Sequence, residues 1–185
     1  MTAHKEAVKA FALLLFFFTV VILVFFFTVQ KNIPSSKRQE IAKVAATPVP
    51  IAWDALTALT DDSTVRVEVG GVPVLAEVAR SEAKKALGLS HRNALKEGEG
   101  MVFIFDTPST LSFWNKDMQF AIDVLWMHNG IVAGISEGLP LFTADSAPVI
   151  ITSPYPTQVV LEVPEGFAKQ HAITNNNTVI IYENK

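Results

Sequence analysis

The longest uninterrupted hydrophobic stretch of the chain lies near its amino terminus. Residues 11–29 are apolar and uncharged, and only two threonines interrupt them. At about 1.5 Å per residue these positions give roughly 30 Å of helix, which matches the hydrocarbon core of a bilayer. The pattern predicts a transmembrane helix over residues 11–30, after a tail of residues 1–10, with the lipid bilayer as its partner.

We expect this span to remain uncleaved and to export the domain that follows it. A cleaved signal peptide has a shorter apolar run that ends beside small residues, and the nearest such residues here are 44–46. Cleavage stays the alternative. The flanking basic residues are Lys5 and Lys9 before the span and Lys31, Lys37, Arg38 and Lys43 after it. Their count favours a cytoplasmic carboxyl terminus, whereas the signal-anchor layout favours an extracytoplasmic domain on a single-pass protein of the cell membrane.

A tether follows the span over residues 31–63, where prolines, serines and scattered charges replace the apolar run. Within it, Trp53, Leu56 and Leu59 recur at three-residue spacing, which predicts a short helix over residues 51–59 that packs on the edge of the next domain. A membrane-surface role for Trp53 is the alternative.

From residue 64 onward the hydrophobic period changes to two, which begins a domain of residues 64–185. Residues 65–69 and 74–78 alternate apolar with other side chains and flank Gly70-Gly71, which predicts a β-hairpin. Residues 81–89 then predict one short helix, because a serine starts the segment, good helix formers follow, and a glycine stands near its end.

The remaining chain reads as further short strands. The apolar run 101–105 predicts a central strand, and Asn129-Gly130 is the turn of a second hairpin. The other predicted strands are residues 122–128, 131–135, 149–152, 157–163 and 178–182, with a helical turn at 165–171. About eight short strands with one or two short helices predict a mostly β fold, an antiparallel sheet curled into a barrel or sandwich.

Composition excludes several classes of function. With 15 basic and 18 acidic residues, the chain has a net charge of -3 and no basic stripe, so we predict no nucleic-acid partner. The absence of cysteine removes disulfides, thiolate metal sites and cysteine nucleophiles. Four histidines lie far apart without ligand spacing, and we therefore predict no metal and no cofactor.

The densest polar segment, residues 112–123, supplies the candidate site. We expect Trp114, Lys116, Asp117 and Asp123 to gather around one turn between two strands. Asp123 stands in an apolar strand, where a carboxylate is costly to bury without a partner, and Lys116 or Arg92 would provide a buried ion pair. The alternative is a ligand-binding cleft formed by these five residues. No catalytic residue is assigned.

Five segments carry a resemblance to a known family: ARSE (79–82), LGL (87–89), GEGMVF (98–103), SFWNKDM (112–118) and VVLEVPEGFA (159–168). Over residues 65–181 the chain resembles domain of unknown function 192, a prokaryotic family of membrane-associated character. The resemblance implies a compact, mostly β domain with a helical element near its start, and it implies no established reaction. This chain has Asn115 and Asp117 where the family has Met and Asn, and residues 139–156 lack the cysteines of many relatives.

These patterns favour a membrane-anchored binding or accessory module of the cell envelope, which holds a small polar ligand or a segment of an envelope protein. The alternative is a hydrolase or lyase that uses an Asp as acid or base, with Lys116 stabilising charge on a sugar-like or acyl substrate. A third hypothesis is a purely structural module that pairs strand edges.

Overall fold

The computed structural model describes residues 49–184. The chain divides into two units, Met1–Thr47 and Pro48–Lys185, and the described residues belong to the second unit. Within residues 49–184, no helix has the length and apolar character needed to cross a bilayer. The span predicted for residues 11–30 lies outside the described residues and stays a prediction.

Residues 49–184 form nine strands, two short α-helices and one 3-10 turn. The strands are β1 (Thr64–Val69), β2 (Val72–Ala79), β3 (Glu99–Ser109), β4 (Ser112–Trp114), β5 (Ile122–His128), β6 (Ile131–Leu139), β7 (Ile150–Thr152), β8 (Thr157–Pro164) and β9 (Val179–Glu183). The helices are α1 (Glu82–Leu87) and α2 (Phe167–Gln170), and the 3-10 turn is Trp53–Ala58. The prediction of a mostly β domain with few short helices is confirmed.

Seven strands form one curled sheet in the order β6-β5-β8-β3-β2-β1-β9. Its two edge strands meet at one end, where Ile131 bridges to Thr178 and the Val132 N–H donates to the Asn177 carbonyl at 2.9 Å. Because the edges are joined only there among the described residues, the curled sheet is a half-barrel and not a fully closed barrel. Strands β4 and β7 pair with each other in a separate antiparallel ribbon.

Both predicted hairpin turns are present. Gly70 and Gly71 have φ values of 57° and 86° between β1 and β2, and Asn129 and Gly130 have values of 47° and 77° between β5 and β6. A two-residue turn that matches the twist of its strands needs positive φ, which glycine and asparagine tolerate best.

One strand pair departs from the antiparallel prediction. Strands β2 and β3 run parallel, with Val78 opposite Val102. The connection between them contains α1 and returns the chain across the sheet, as a parallel pair requires. Ser81 caps α1 by accepting a hydrogen bond from the Lys84 N–H at 3.1 Å, and Gly88 ends the helix with a φ of 51°. This crossover places α1 over one face of the sheet.

The centre of the sheet is buried on both faces. On the inner face, every one of the seven strands contributes to a core that also includes Leu56 and Phe167. On the outer face, a second core contains Met101, Phe103 and Trp126. The strands β3, β5 and β8 are shared by the two cores, and their residues alternate between them.

The last part of the predicted tether packs against the sheet. The Ile51 N–H donates to the Ile181 carbonyl at 2.7 Å, and Pro50 forms a bridge with Tyr182. The 3-10 turn lies within the predicted helical segment, and its Leu56 is fully buried in the inner core. Residues 49–59 are thus part of the packed unit.

Candidate functional site

Glu162 is a buried acid on the outer face of the sheet. It stands in β8 opposite Met101 of β3 and Val124 of β5, at the centre of the sheet. The residue is 4% exposed, and its Oε2 atom has no hydrogen-bond partner in the described residues. Native proteins leave few buried polar atoms unpaired, and Glu162 shares this feature with the Trp53 Nε1 and His128 Nδ1 atoms.

A cavity of about 330 Å³ lies above Glu162. We call it the Glu162 pocket. Its walls come from three sides of the outer face: α1, the outward side chains of β3, and the β4–β7 ribbon. The apolar residues that line it most prominently are Leu87, Phe103, Phe105, Phe113, Trp114 and Ile150. The crossover helix and the small ribbon therefore enclose a cavity on the outer face of the sheet.

Phe113 of β4 organises the aromatic wall. Its ring lies edge-on to Phe103 at 4.9 Å and to Trp126 at 5.5 Å between centroids, and Phe105 is 6.5 Å away. Edge-to-face pairs of this kind stabilise beyond the area they bury. The contacts attach the ribbon to the outer core, so this wall of the pocket is fixed by packing.

Burial raises the pKa of the Glu162 carboxyl from its ordinary value of 4.5 to about 8, and the positive charge of Arg92 opposes this rise without cancelling it. Desolvation acts in this direction because an apolar environment disfavours the charged form of an acid. Glu162 is therefore mostly protonated at pH 7, and its carboxyl group is a hydrogen-bond donor as well as an acceptor.

Arg92 forms its ion pair with Glu77 and not with Glu162. Its two terminal nitrogens donate to the two oxygens of Glu77 at 2.5 and 2.7 Å. This two-pronged pair lowers the pKa of Glu77, chiefly through the hydrogen bonds from Arg92, and raises the pKa of Arg92. Arg92 does not line the Glu162 pocket, and it influences Glu162 only through its charge.

Three of the predicted site residues come together beside the pocket. Trp114, Lys116 and Asp117 line a small cleft of about 120 Å³. The residues that this cleft shares with the Glu162 pocket are Ala86, Leu87, Ser90 and Trp114. The Lys116 ammonium lies 5.7 Å from the centre of the Trp114 ring. Asp117 occupies the turn after β4 with a φ of 58°, and its carbonyl accepts the His91 N–H at 3.0 Å. The turn thus gathers these three side chains as the sequence predicts.

Asp123 lies elsewhere and has other partners than predicted. It is 1% exposed, but neither Lys116 nor Arg92 bonds to it. Its Oδ1 accepts the Gly138 N–H at 2.9 Å, and its Oδ2 accepts the Ala168 N–H at 3.0 Å. The expectation of a buried ion pair is corrected: Asp123 is held by backbone amides on the inner side of the sheet.

The positions of the two amides explain why a carboxylate serves them. The register of β5 against β6 shifts between Ile122 and Val124, and Gly138 lies in this irregular stretch with a φ of 63°. Ala168 lies in the first turn of α2, where N–H groups have no partner within the helix. The residue before α2 is Gly166, which has no side chain to cap it, and Asp123 supplies the missing acceptor from the neighbouring strand.

Sequence reasoning missed Glu162 because alternation places it on the polar face of β8. It follows Leu161 and precedes Val163, both in the inner core, so the pattern predicts a solvent-facing acid. One signal in the sequence could have shown that this face is covered: Val160, two residues earlier on the same outer face, is apolar. Among residues 49–184, no three His, Asp or Glu side chains are grouped to hold a metal ion.

The profile of the DUF192 family, described as Uncharacterized ACR, matches residues 65–181 of this chain. The chain belongs to the DUF192 family. The match covers all of the sheet except Thr64 at its start and Tyr182 and Glu183 at its end, and it includes Glu162, Arg92 and Trp114. A search of curated proteins found no match.

Two crystal structures resemble this DUF192 domain. A proposed transcription regulator from Sinorhizobium meliloti 1021 is 22% identical with a TM-score of 0.57, over 63% of this chain and 91% of that one. A protein of unknown function from Novosphingobium aromaticivorans is 25% identical with a TM-score of 0.55, over 73% of this chain and 94% of that one. The first similarity shows the fold alone, and the second adds no assigned activity.

Asn115 fixes the ribbon of this DUF192 domain. The residue is buried, its amide nitrogen donates to the Pro140 carbonyl at 2.9 Å, and its side-chain oxygen accepts the Val149 N–H at 2.8 Å. These bonds join the end of β4 to the loop before β7. Asn115 therefore positions the wall of the Glu162 pocket that carries Trp114.

Proposed function

We propose that this DUF192 domain is a binding module that holds the apolar body of a small molecule in the Glu162 pocket. One observation carries the proposal: a cavity of about 330 Å³ combines aromatic and aliphatic walls with a buried, unpartnered acid. Ligand sites are concave and mostly apolar, contain a few polar groups, and begin at about 300 Å³. Leu87, Trp114 and Ile150 are about half exposed or more at the rim, which offers an apolar entrance.

We further propose that the chain holds this module at the cell membrane through residues 11–30, on the extracytoplasmic side. The support is the uncharged apolar run of residues 11–29 together with its signal-anchor layout. Protease added to intact spheroplasts is expected to release the domain. Protection in intact spheroplasts, with cleavage only after lysis, would show the opposite orientation.

The binding proposal is tested by blocking the pocket from α1. Ala86 lines both cavities, and Ala86→Trp is expected to fill the entrance. Ala83→Trp is the matched control, because Ala83 is exposed on the same helix and lines neither cavity. We would use the full chain in lipid nanodiscs and measure saturation transfer to single-ring aromatic probes by NMR. Partitioning into lipid is common to all samples and cancels.

The expected result is saturation transfer in the wild type and in Ala83→Trp, with loss of the signal in Ala86→Trp. Equal signals in all three proteins would refute binding in the Glu162 pocket. Retained folding of both variants is checked by circular dichroism.

The hydrolase or lyase hypothesis has less support. Its acid or base was an aspartate, and Asp123 bonds to two backbone amides away from both cavities. Asp117 and Lys116 line the small cleft, which has only about a third of the volume of the Glu162 pocket. The binding proposal uses the larger cavity and its buried acid.

A further inference from the structure

Glu162 differs from the other polar side chains that line its pocket, Lys85, Ser90 and Ser112, because each of those has a partner within the domain. The walls are largely apolar, and the acid's Oε2 atom lies buried without a partner in the described residues. Leaving a buried polar atom unpaired costs free energy that a hydrogen bond recovers. A ligand with a complementary group at its inner end therefore gains more from this pocket than a purely apolar ligand does.

The charged groups around Glu162 already have partners. Glu77 of β2 pairs with Arg92, which lies in the loop after α1. Glu99 of β3 pairs with Lys96 at 3.7 Å. On α1, the Lys85 ammonium pairs with Glu82 at 2.5 Å and lies over the Phe105 ring, and Lys84 pairs with Glu77 at 3.5 Å. From β5, Asp123 is held by amides at the other face.

The protonation state of Glu162 follows from this environment. With its pKa raised to about 8 by burial, the carboxyl group carries a proton at pH 7. A protonated carboxyl donates one O–H hydrogen bond. The pocket therefore presents a donor to its contents at neutral pH.

We infer that the buried end of the ligand is an uncharged hydrogen-bond acceptor, a carbonyl, ester or ether oxygen, that receives the O–H of Glu162. This inference rests on the proposed binding function and names the chemical class of ligand that the pocket selects. The apolar body of the ligand then lies along Phe103, Phe113 and Trp114 towards the rim.

Charged ends fit this pocket less well. An ammonium group would face the nearby positive charges of Lys85 and Arg92 and would have to deprotonate Glu162 before pairing with it. A carboxylate would have to compete with Glu82 for Lys85 or with Glu77 for Arg92. Burying a charge without a dedicated partner is costly.

Four probes with one phenyl ring separate these possibilities: acetophenone, cumene, 1-phenylethylamine and benzoate. They present a carbonyl oxygen, a methyl group, an ammonium and a carboxylate at the same place. Affinities are measured by saturation-transfer titration of the full chain in nanodiscs, with the Ala86→Trp signal subtracted. At pH 6.5 we expect acetophenone to bind about five- to tenfold more tightly than cumene, the value of one hydrogen bond. The two charged probes should bind more weakly than cumene.

Two substitutions at Glu162 connect the selectivity to its proton. In the wild type, the preference for acetophenone over cumene should disappear as the pH rises from 6.5 to 9.5. In Glu162→Gln, whose amide donates at every pH, the preference should persist unchanged over that range. In Glu162→Leu, acetophenone and cumene should bind alike.

Equal binding of acetophenone and cumene to the wild type, or tighter binding of either charged probe, would overturn the inference. So would a pH dependence that survives in Glu162→Gln. The proposed binding function fails separately, if no probe distinguishes the wild type from Ala86→Trp. Glu162→Gln is nearly isosteric and keeps the test valid if Glu162→Leu does not fold.

Discussion

Asp123 and Glu162 are buried carboxylates one step apart on neighbouring strands, and the two faces of the sheet treat them differently. Asp123 pairs in register with Val163, and Glu162 pairs with Val124. On the inner face, Asp123 satisfies two backbone amides. On the outer face, Glu162 has an unpartnered oxygen beside a cavity. Burial alone therefore does not distinguish an acid that stabilises the fold from an acid that remains free to bind a ligand; the hydrogen-bond partners of each acid do.

The largest effect should come from removing the satisfied acid. Asp123→Ala leaves the N–H groups of Gly138 and Ala168 without their acceptor, and we expect a loss of about 3–5 kcal/mol in the free energy of unfolding. Urea denaturation of the full chain in nanodiscs, analysed at equal m-values, measures this loss. Asp123→Asn, which keeps one acceptor oxygen, should lie between the wild type and Asp123→Ala. A midpoint within error of the wild type would show that Asp123 does not have the structural role described here.

Replacing Glu162 should have the opposite effect and stabilise the fold above neutral pH. Its folded pKa of about 8 exceeds the ordinary value of 4.5, so the folded state binds more protons than the unfolded state between these values. The stability that this protonation contributes is fully present below pH 4.5 and is lost as the pH rises through 8. The amide in the Glu162→Gln variant does not titrate, so it should not lower the variant's free energy of unfolding over this pH range. Between pH 5 and pH 9 we expect the variant to gain roughly 2–4 kcal/mol in the free energy of unfolding relative to the wild type.

Urea midpoints of the wild type and Glu162→Gln at pH 5, 7 and 9 measure this divergence. Asp123→Asn serves as the control for removing a buried carboxylate from the other face. Parallel pH profiles for the wild type and Glu162→Gln would mean that Glu162 has an ordinary pKa and that its burial is balanced by an interaction.

The pair between Arg92 and Glu77 gives a third, smaller effect. Both side chains are at least 30% exposed, so we expect Arg92→Met to cost about 1 kcal/mol at pH 7. The pair lowers the pKa of Glu77, and its contribution is therefore present above pH 4.5 and lost as the pH falls through the folded pKa. Losing the positive charge should also raise the pKa of Glu162 further, as measured by carboxyl carbon NMR titration.

Lys96→Met is the matched control for that substitution, because Lys96 is highly exposed and its pair with Glu99 spans 3.7 Å. It should change stability by less than about 0.5 kcal/mol and leave the Glu162 titration unmoved. An equal response of Glu162 to both substitutions would argue against a specific influence of Arg92.

The rim should contribute least to stability. Trp114 is 52% exposed, and Trp114→Ala is expected to change the free energy of unfolding by less than about 1 kcal/mol while it weakens acetophenone binding about fivefold. Tyr155→Ala removes another exposed aromatic residue that lines neither cavity, and its binding should match the wild type. Equal losses for both variants would remove Trp114 from the binding site.

Local patterns were enough to predict much of the fold. Period-two alternation, the Gly70-Gly71 and Asn129-Gly130 turns, and the serine-to-glycine limits of α1 each depend on neighbours within a few residues, and all are present. The parallel pairing of β2 and β3 was not predicted, because strand direction depends on the path of the whole crossover. The candidate turn with Trp114, Lys116 and Asp117 was found by the same local reasoning.

The sequence by itself determined which residues form strands, which turns join them, and which family the domain resembles, since each of these is written in short-range patterns. Only the tertiary structure decided what covers each face of the sheet. Alternation distinguishes the two faces of β5 and β8. It cannot predict that two backbone amides donate to Asp123, or that α1 and the β4–β7 ribbon enclose Glu162. The partner of a buried acid comes from distant segments of the chain, and that partner decides whether the acid stabilises the fold, as Asp123 does, or lies unpaired beside a cavity, as Glu162 does.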